Sequence, residues 1–246
     1  MPAFLIALQF LTRLPISLPG MPLAAQVGRS LLSYPLVGLL IGVVLLLAQW
    51  TLAGTAPLLQ AAILLLLWVG ITGGLHLDGL ADSADAWAGG YGDRERTLTI
   101  MQDPRSGPIA VVVVVLLLLL KFAALATLLA ASQPLALLLA PWLARGLVPL
   151  LFLSTPYVRA GGLGAALAEH MPRRELPFWL LGHGLLLVLI GGWSGLLAVL
   201  AALLLLAGLR QLMLQRLGGC TGDTAGALVE LSEATVLLVL ALQVSG

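Results

Sequence analysis

Apolar runs dominate this chain, at 31–52, 57–71, 108–131, 134–153, 176–190, 194–214 and 225–243. Stretches of about 20 apolar residues predict membrane-crossing helices, because a helix rises 1.5 Å per residue and the hydrocarbon core is roughly 30 Å thick. The second and fifth runs are short, so they predict tilted or broken crossings. The pair Gly191-Gly192 splits an apolar stretch from Leu176 to Leu209 that is too long for one crossing. The pattern therefore predicts an all-α, polytopic membrane bundle of about seven transmembrane helices, folded as a single membrane-embedded domain over 1–246. The apolar opening at 2–14 adds an interfacial or re-entrant helix.

Polar positions gather in a few connections. Arg13, Arg29, Arg94, Arg96, Arg105, Arg159, Arg173, Arg174, Arg210 and Arg216 fall on or near one side. The connections at 53–56, 132–133 and 191–193 carry no charged side chain. Basic residues concentrate in cytoplasmic loops, so the loops 73–107, 154–175 and 215–224 are expected in the cytosol. The composition agrees with a membrane protein: 60% of residues are hydrophobic and 9% charged, against about 25% charged in soluble domains. A net charge of +1 leaves no basic footprint for nucleic acid. A single cysteine, Cys220, excludes an intrachain disulfide.

The densest polar cluster is Gly73-Gly74-Leu75-His76-Leu77-Asp78-Gly79-Leu80-Ala81-Asp82-Ser83-Ala84-Asp85. Asp78, Asp82 and Asp85 stand i, i+4 and i+7 apart, so a helix places all three on one face. Crowded carboxylates repel unless a cation sits among them, and hard oxygen ligands suit Mg²⁺ completed by water and phosphate oxygens. A solvated acidic loop is the plainer alternative. His76 points away from this face and reads as a packing residue, and Asp93 as a surface partner of nearby arginines.

Two further segments carry chemistry. In Met101-Gln102-Asp103-Pro104-Arg105-Ser106-Gly107-Pro108, Arg105 with the backbone of Ser106 and Gly107 could grip a phosphate, or Arg105 could simply anchor the span that follows. In Gly218-Gly219-Cys220-Thr221-Gly222-Asp223-Thr224, Gly218, Gly219 and Thr221 offer backbone and hydroxyl groups to a phosphate, and Asp223 shares a helical face with Glu230 and Glu233. Carboxylates inside a span are functional candidates by default, which keeps Glu230 and Glu233 as weaker candidates. Lys121 and Arg145 lie within spans and read as partners for such acids. Trp50, Trp68, Trp142, Trp179 and Trp193 read as interfacial belt residues.

These segments, with the opening Ala7-Leu8-Gln9-Phe10-Leu11-Thr12-Arg13-Leu14-Pro15, closely resemble the cobalamin synthase family across nearly the whole chain. Gln102 stands where a lysine is often found. The resemblance implies an inner-membrane, Mg²⁺-dependent transferase with its active site facing the cytosol. Such an enzyme joins adenosylcobinamide-GDP to α-ribazole, or its 5′-phosphate, and releases GMP late in cobalamin biosynthesis. It further implies Asp78 and Asp82 on Mg²⁺, Asp85 completing or supporting the site, Asp223 as a metal ligand or general base, and Arg105 as a catalytic phosphate clamp. A lipid synthase resembling the CDP-alcohol phosphotransferases is the rival enzyme, but its Asp-Gly-x-x-Ala-Arg is missing: Asp82 and Ser83 follow Asp78-Gly79-Leu80-Ala81. A cation-coupled transporter is the rival of another class. Self-association as a homo-oligomer stays open.

Overall fold

The computed structural model of the chain describes residues 3–159, 161 and 163–245. Eleven α-helices follow one another, and no strand occurs among the described residues. They are α1 Ala3–Leu11, α2 Ala24–Ser30, α3 Tyr34–Thr51, α4 Pro57–Thr72, α5 Leu75–Gly89, α6 Arg94–Ile100, α7 Pro108–Ala130, α8 Ala136–Ser154, α9 Leu163–Glu169, α10 Leu176–Leu217 and α11 Gly222–Ser245. Five stretches are long and apolar enough to cross a membrane, and α4 with α5, bent by 87°, makes a sixth broken candidate.

The count rises to the expected seven where α10 divides. Gly192 leaves helical geometry inside α10, at φ 57° and ψ −138°. A Cβ on Gly195 would stand 2.7 Å from the carbonyl oxygen of Leu187. Residues eight apart in one straight helix would be separated by roughly 12 Å, so the two arms of α10 fold back as a hairpin. At nine residues α1 spans only about 14 Å, too short to cross. It instead buries Ile6, Ala7, Leu8 and Leu11 against the bundle.

Small residues set the packing. A Cβ on Gly38 would meet the Pro141 oxygen at 2.3 Å, and one on Gly42 the Leu138 Cα at 2.7 Å. This glycine pair, four residues apart, lets α3 and α8 approach backbone to backbone, as small residues do between helices in lipid. Helices α8 and α11 form the buried centre, whereas α7 and α10 lie outermost. Leu66, Leu116, Leu189 and Leu204 project outward as the exposed apolar belt that lipid would cover. Trp50, Trp179 and Trp193 are exposed, but Trp68 and Trp142 are buried. The belt assignment fails for those two because each has an internal polar partner: Trp68 Nε1 donates to Glu233 at 3.1 Å, and Trp142 Nε1 to His183 Nδ1 at 3.0 Å.

Candidate active site

Two left-handed glycines, Gly73 at φ 63° and Gly74 at φ 69°, end α4 and turn the chain into α5. Only glycine takes this conformation without steric cost, and the 87° bend lays α5 across the end of the bundle instead of through it. Helix α5 then packs on the start of α11. A Cβ on Gly79 would stand 2.7 Å from the Asp223 oxygen, and one on Gly226 would meet the His76 oxygen at 3.3 Å. The two glycines are thus what brings the Asp78/Asp82 face against Asp223.

Asp78, Asp82 and Asp223 line one cavity of about 580 Å³. Its walls come from all three motif segments, including Gln102, Asp103, Ser106 and Gly222, and from the loop that carries Tyr157 and Arg159. The Asp82 carboxyl is pushed up to about 6, first by burial and then by the charges of Asp78 and Asp223, with Arg159 opposing. Like charges held this close favour a bound cation. Among the described residues no three His, Cys, Asp or Glu side chains stand close enough to enclose a metal ion alone. The donors that the cavity does offer, the carboxylates of Asp78, Asp82 and Asp223, are hard oxygens, the chemistry of a divalent ion held by one or two carboxylates with water and substrate oxygens supplying the rest.

Asp85 stands apart from this group. Its two oxygens accept the backbone N–H groups of Gly107 and of Ala110, the latter at 2.9 Å. The free N–H groups and positive dipole end of α7 compete for this carboxylate. Gly107 is occupied by the same contact. Asp93 caps α6 by accepting from Arg96 N at 2.9 Å.

Arg105, the expected phosphate clamp, does not line the cavity. Arg105 is exposed and forks onto Asp103, with Nε at 2.9 Å and Nη2 at 2.7 Å. That pairing holds the Asp103 carboxyl down at about 2. Of the pair, Asp103 lines the cavity and Arg105 does not. The arginine in the cavity wall is Arg159, whose Nη1 donates to Asp223 Oδ2 at 2.7 Å. From the sequence Arg159 reads only as one of the one-sided arginines, because its partner is 64 residues away. The signal available was its place at the end of Tyr157-Val158-Arg159, just before a glycine run.

The Gly218–Thr221 turn supports this arrangement from behind. Cys220 N donates to Pro156 O at 2.8 Å and Val158 N to Cys220 O at 3.0 Å, a parallel bridge that pins the Arg159 loop. Gly219 leaves room for that bridge, since a Cβ would stand 2.2 Å from Pro156 O. Gly218, left-handed at φ 74°, ends α10. Thr221 starts α11 by exchanging hydrogen bonds with Thr224: Thr221 N donates to Thr224 Oγ1 at 2.9 Å, and Thr224 N donates to Thr221 Oγ1 at 3.2 Å. None of these three lines the cavity.

Glu230 and Glu233 lie deeper and face cations. Lys121 Nζ donates to Glu230 at 2.9 Å and also to Glu233, while Arg145 pairs with Glu233. Two positive and two negative groups balance, which is how charge survives in a low-dielectric interior. Lys121 also sits 4.7 Å from the Trp68 ring centroid.

Fold and site together define a polytopic membrane protein with an acidic cavity lined by its motif segments at one end of the bundle. Residues 3–241 match the family described as cobalamin-5-phosphate synthase. The chain is 65% identical to the adenosylcobinamide-GDP ribazoletransferase of Ectopseudomonas mendocina, covering 96% of this chain and 97% of that protein. It is 66% identical to the protein of that name from Pseudomonas paraeruginosa, over 98% of each chain. The corresponding Pseudomonas fluorescens protein is 62% identical, over 97% of this chain and 98% of its own length. No solved structure matches. This chain belongs to the cobalamin-5-phosphate synthase family.

Proposed function

We propose that the protein joins adenosylcobinamide-GDP to α-ribazole or its 5′-phosphate, releasing GMP, at the cytosolic face of a bacterial inner membrane. One observation carries the reading: in a chain of this family, three separate segments, α5, the start of α11 and the loop before α9, bring Asp78, Asp82, Asp223 and Arg159 to a single cavity. Asp78 and Asp82 would hold Mg²⁺ against the pyrophosphate. Bound there, the ion would supply positive charge to the phosphate oxygens as negative charge builds on the leaving group.

The remaining roles fall to the chain's own groups. A ribazole hydroxyl attacks the cobinamide-side phosphorus, forming a new P–O bond as the pyrophosphate P–O bond breaks. The electron pair leaves on the oxygen carried away by GMP. Asp223 takes the hydroxyl proton at its carboxylate, and Arg159 moves from Asp223 onto phosphate oxygens, where its fork can bind two at once. Arg105, through Asp103, shapes the 103–107 turn, and Asp85 secures that turn to α5. Pairing of Glu230 and Glu233 with Lys121 and Arg145 argues against a transporter, whose intramembrane acids must bind and release ions.

Purified protein in detergent should release GMP only when adenosylcobinamide-GDP, α-ribazole 5′-phosphate and Mg²⁺ are all present. Release that ignores the ribazole substrate would overturn the transfer reaction, and full activity in excess chelator would remove the metal. Orientation is tested separately. A reporter fused after Arg174 should be active in the cytosol, and periplasmic activity there would invert the topology.

A further inference from the structure

The cavity has two chemically unlike walls. Helices α5 and α11 contribute the carboxylates, whereas α1, α3, α8 and α9 contribute Phe10, Leu11, Tyr34, Val148, Phe152 and Leu167. Five of the latter, Leu11, Tyr34, Val148, Phe152 and Leu167, are buried members of the main hydrophobic core. Phe10 stacks on Tyr34 with ring centroids 6.4 Å apart, and Phe152 meets Tyr157 edge-on at 5.9 Å. Within this apolar wall one polar atom stands out. The Tyr34 hydroxyl is buried and has no hydrogen-bond partner among the described residues. An unpartnered buried hydroxyl costs stability, and native interiors rarely leave one.

We infer that this wall is the binding site for the aromatic base of the nucleoside substrate, with the Tyr34 hydroxyl donating to the base's unprotonated ring nitrogen. The inference rests on the activity proposed above and deepens it. Three aromatic bases enter that reaction, the benzimidazole of α-ribazole, the guanine of the GDP arm and the adenine of the adenosyl group. Guanine and adenine each present several donors and acceptors along their edges, and an apolar wall would leave most of them unpaired at a cost of kilocalories each. The benzimidazole of a riboside offers one acceptor nitrogen and an otherwise apolar surface. The wall supplies flat aromatic contacts and the Tyr34 donor, which matches that base. A volume of about 580 Å³ is that of a site for a nucleotide-sized ligand. A corrinoid with its GDP arm does not fit whole, so the corrin ring stays at the mouth while the base is enclosed. The ribose then projects toward Asp223 and the phosphates toward Asp78, Asp82 and Arg159.

Tyr34→Phe keeps the ring and its stacking on Phe10 and removes only the hydroxyl. The unliganded variant should melt at the wild-type temperature or above it, because a buried unpartnered group has been removed. KM for α-ribazole 5′-phosphate should rise about fivefold to tenfold, the loss of one hydrogen bond. KM for adenosylcobinamide-GDP should stay at the wild-type value. Thermal stabilisation by added α-ribazole should weaken in parallel, while stabilisation by GMP is kept. Unchanged KM values for both substrates, or a loss confined to GMP and adenosylcobinamide-GDP, would overturn the base assignment. Wild-type protein that is stabilised by α-ribazole but transfers nothing would overturn the activity and leave the base site standing.

Discussion

Turnover falls by roughly a hundredfold or more when Asp78 or Asp82 becomes asparagine, the scale expected when a group stabilising transition-state charge is lost. Asparagine keeps the size and one oxygen but removes the negative charge that holds a divalent ion. Both positions face the same cavity from successive turns of α5, and Arg159 in the same wall opposes the charge at Asp82. Folding should survive either change: burial and then the charges of Asp78 and Asp223 lift the Asp82 carboxyl to about 6, and removing one charge relieves that crowding. Raising the Mg²⁺ concentration should recover part of the activity if metal affinity is what was lost. Asp93→Asn is the control in the same loop. Its role is to cap α6, which asparagine does equally well, so turnover should stay near wild type. Normal insertion with full Mg²⁺-dependent GMP release in both Asp78→Asn and Asp82→Asn would place the metal elsewhere.

Lys121→Met should destabilise the protein by about 3–5 kcal/mol, the cost of stripping one partner from a buried ion pair. Lys121 is 1% exposed and contacts both Glu230 and Glu233. Without it two carboxylates would share Arg145 alone, inside a helix bundle that water does not reach. Thermal unfolding in detergent would report the loss. Adding Glu230→Gln to Lys121→Met restores the balance of one positive and one negative group, so the double variant should recover a large part of the stability. A single variant that unfolds like wild type would mean that the four groups are not coupled. The same experiment separates scaffold from chemistry: the double variant, once folded, should retain Mg²⁺-dependent turnover.

How far the site was legible depended on the distance over which each residue finds its partner. Asp78 and Asp82 were readable because one turn of helix sets their common face, whatever surrounds it. Arg105 and Arg159 were not separable in that way. Both are loop arginines near a span, and the parallel bridge between Tyr157 and Cys220 is what carries Arg159 to Asp223. Arg105 has an acceptor two residues away and is held by it. Asp85 shares the helical face of Asp78 yet meets the N-terminus of α7, a neighbour that helical spacing cannot reveal. The glycines of the third motif looked like phosphate-binding backbone, but Gly218 ends a helix and Gly219 clears a backbone bridge.

By itself the sequence determined the class of molecule. Seven apolar runs, the break at Gly191-Gly192 and the one-sided arginines follow from the hydrocarbon thickness and the expense of charge in lipid, which act on each segment independently. It also determined that Asp78 and Asp82 share a face, because helical periodicity is local. The tertiary structure decided everything that needs two distant segments to touch. It chose Asp223 and Arg159 for the cavity, turned Asp85 to the start of α7, and paired Glu230 and Glu233 with Lys121 and Arg145. A buried charge is stable only beside its partner, and which partner arrives is set by close helix approaches, such as that of α5 to α11 across Gly79 and Gly226, which pack atom against atom and leave no trace in the spacing of either segment.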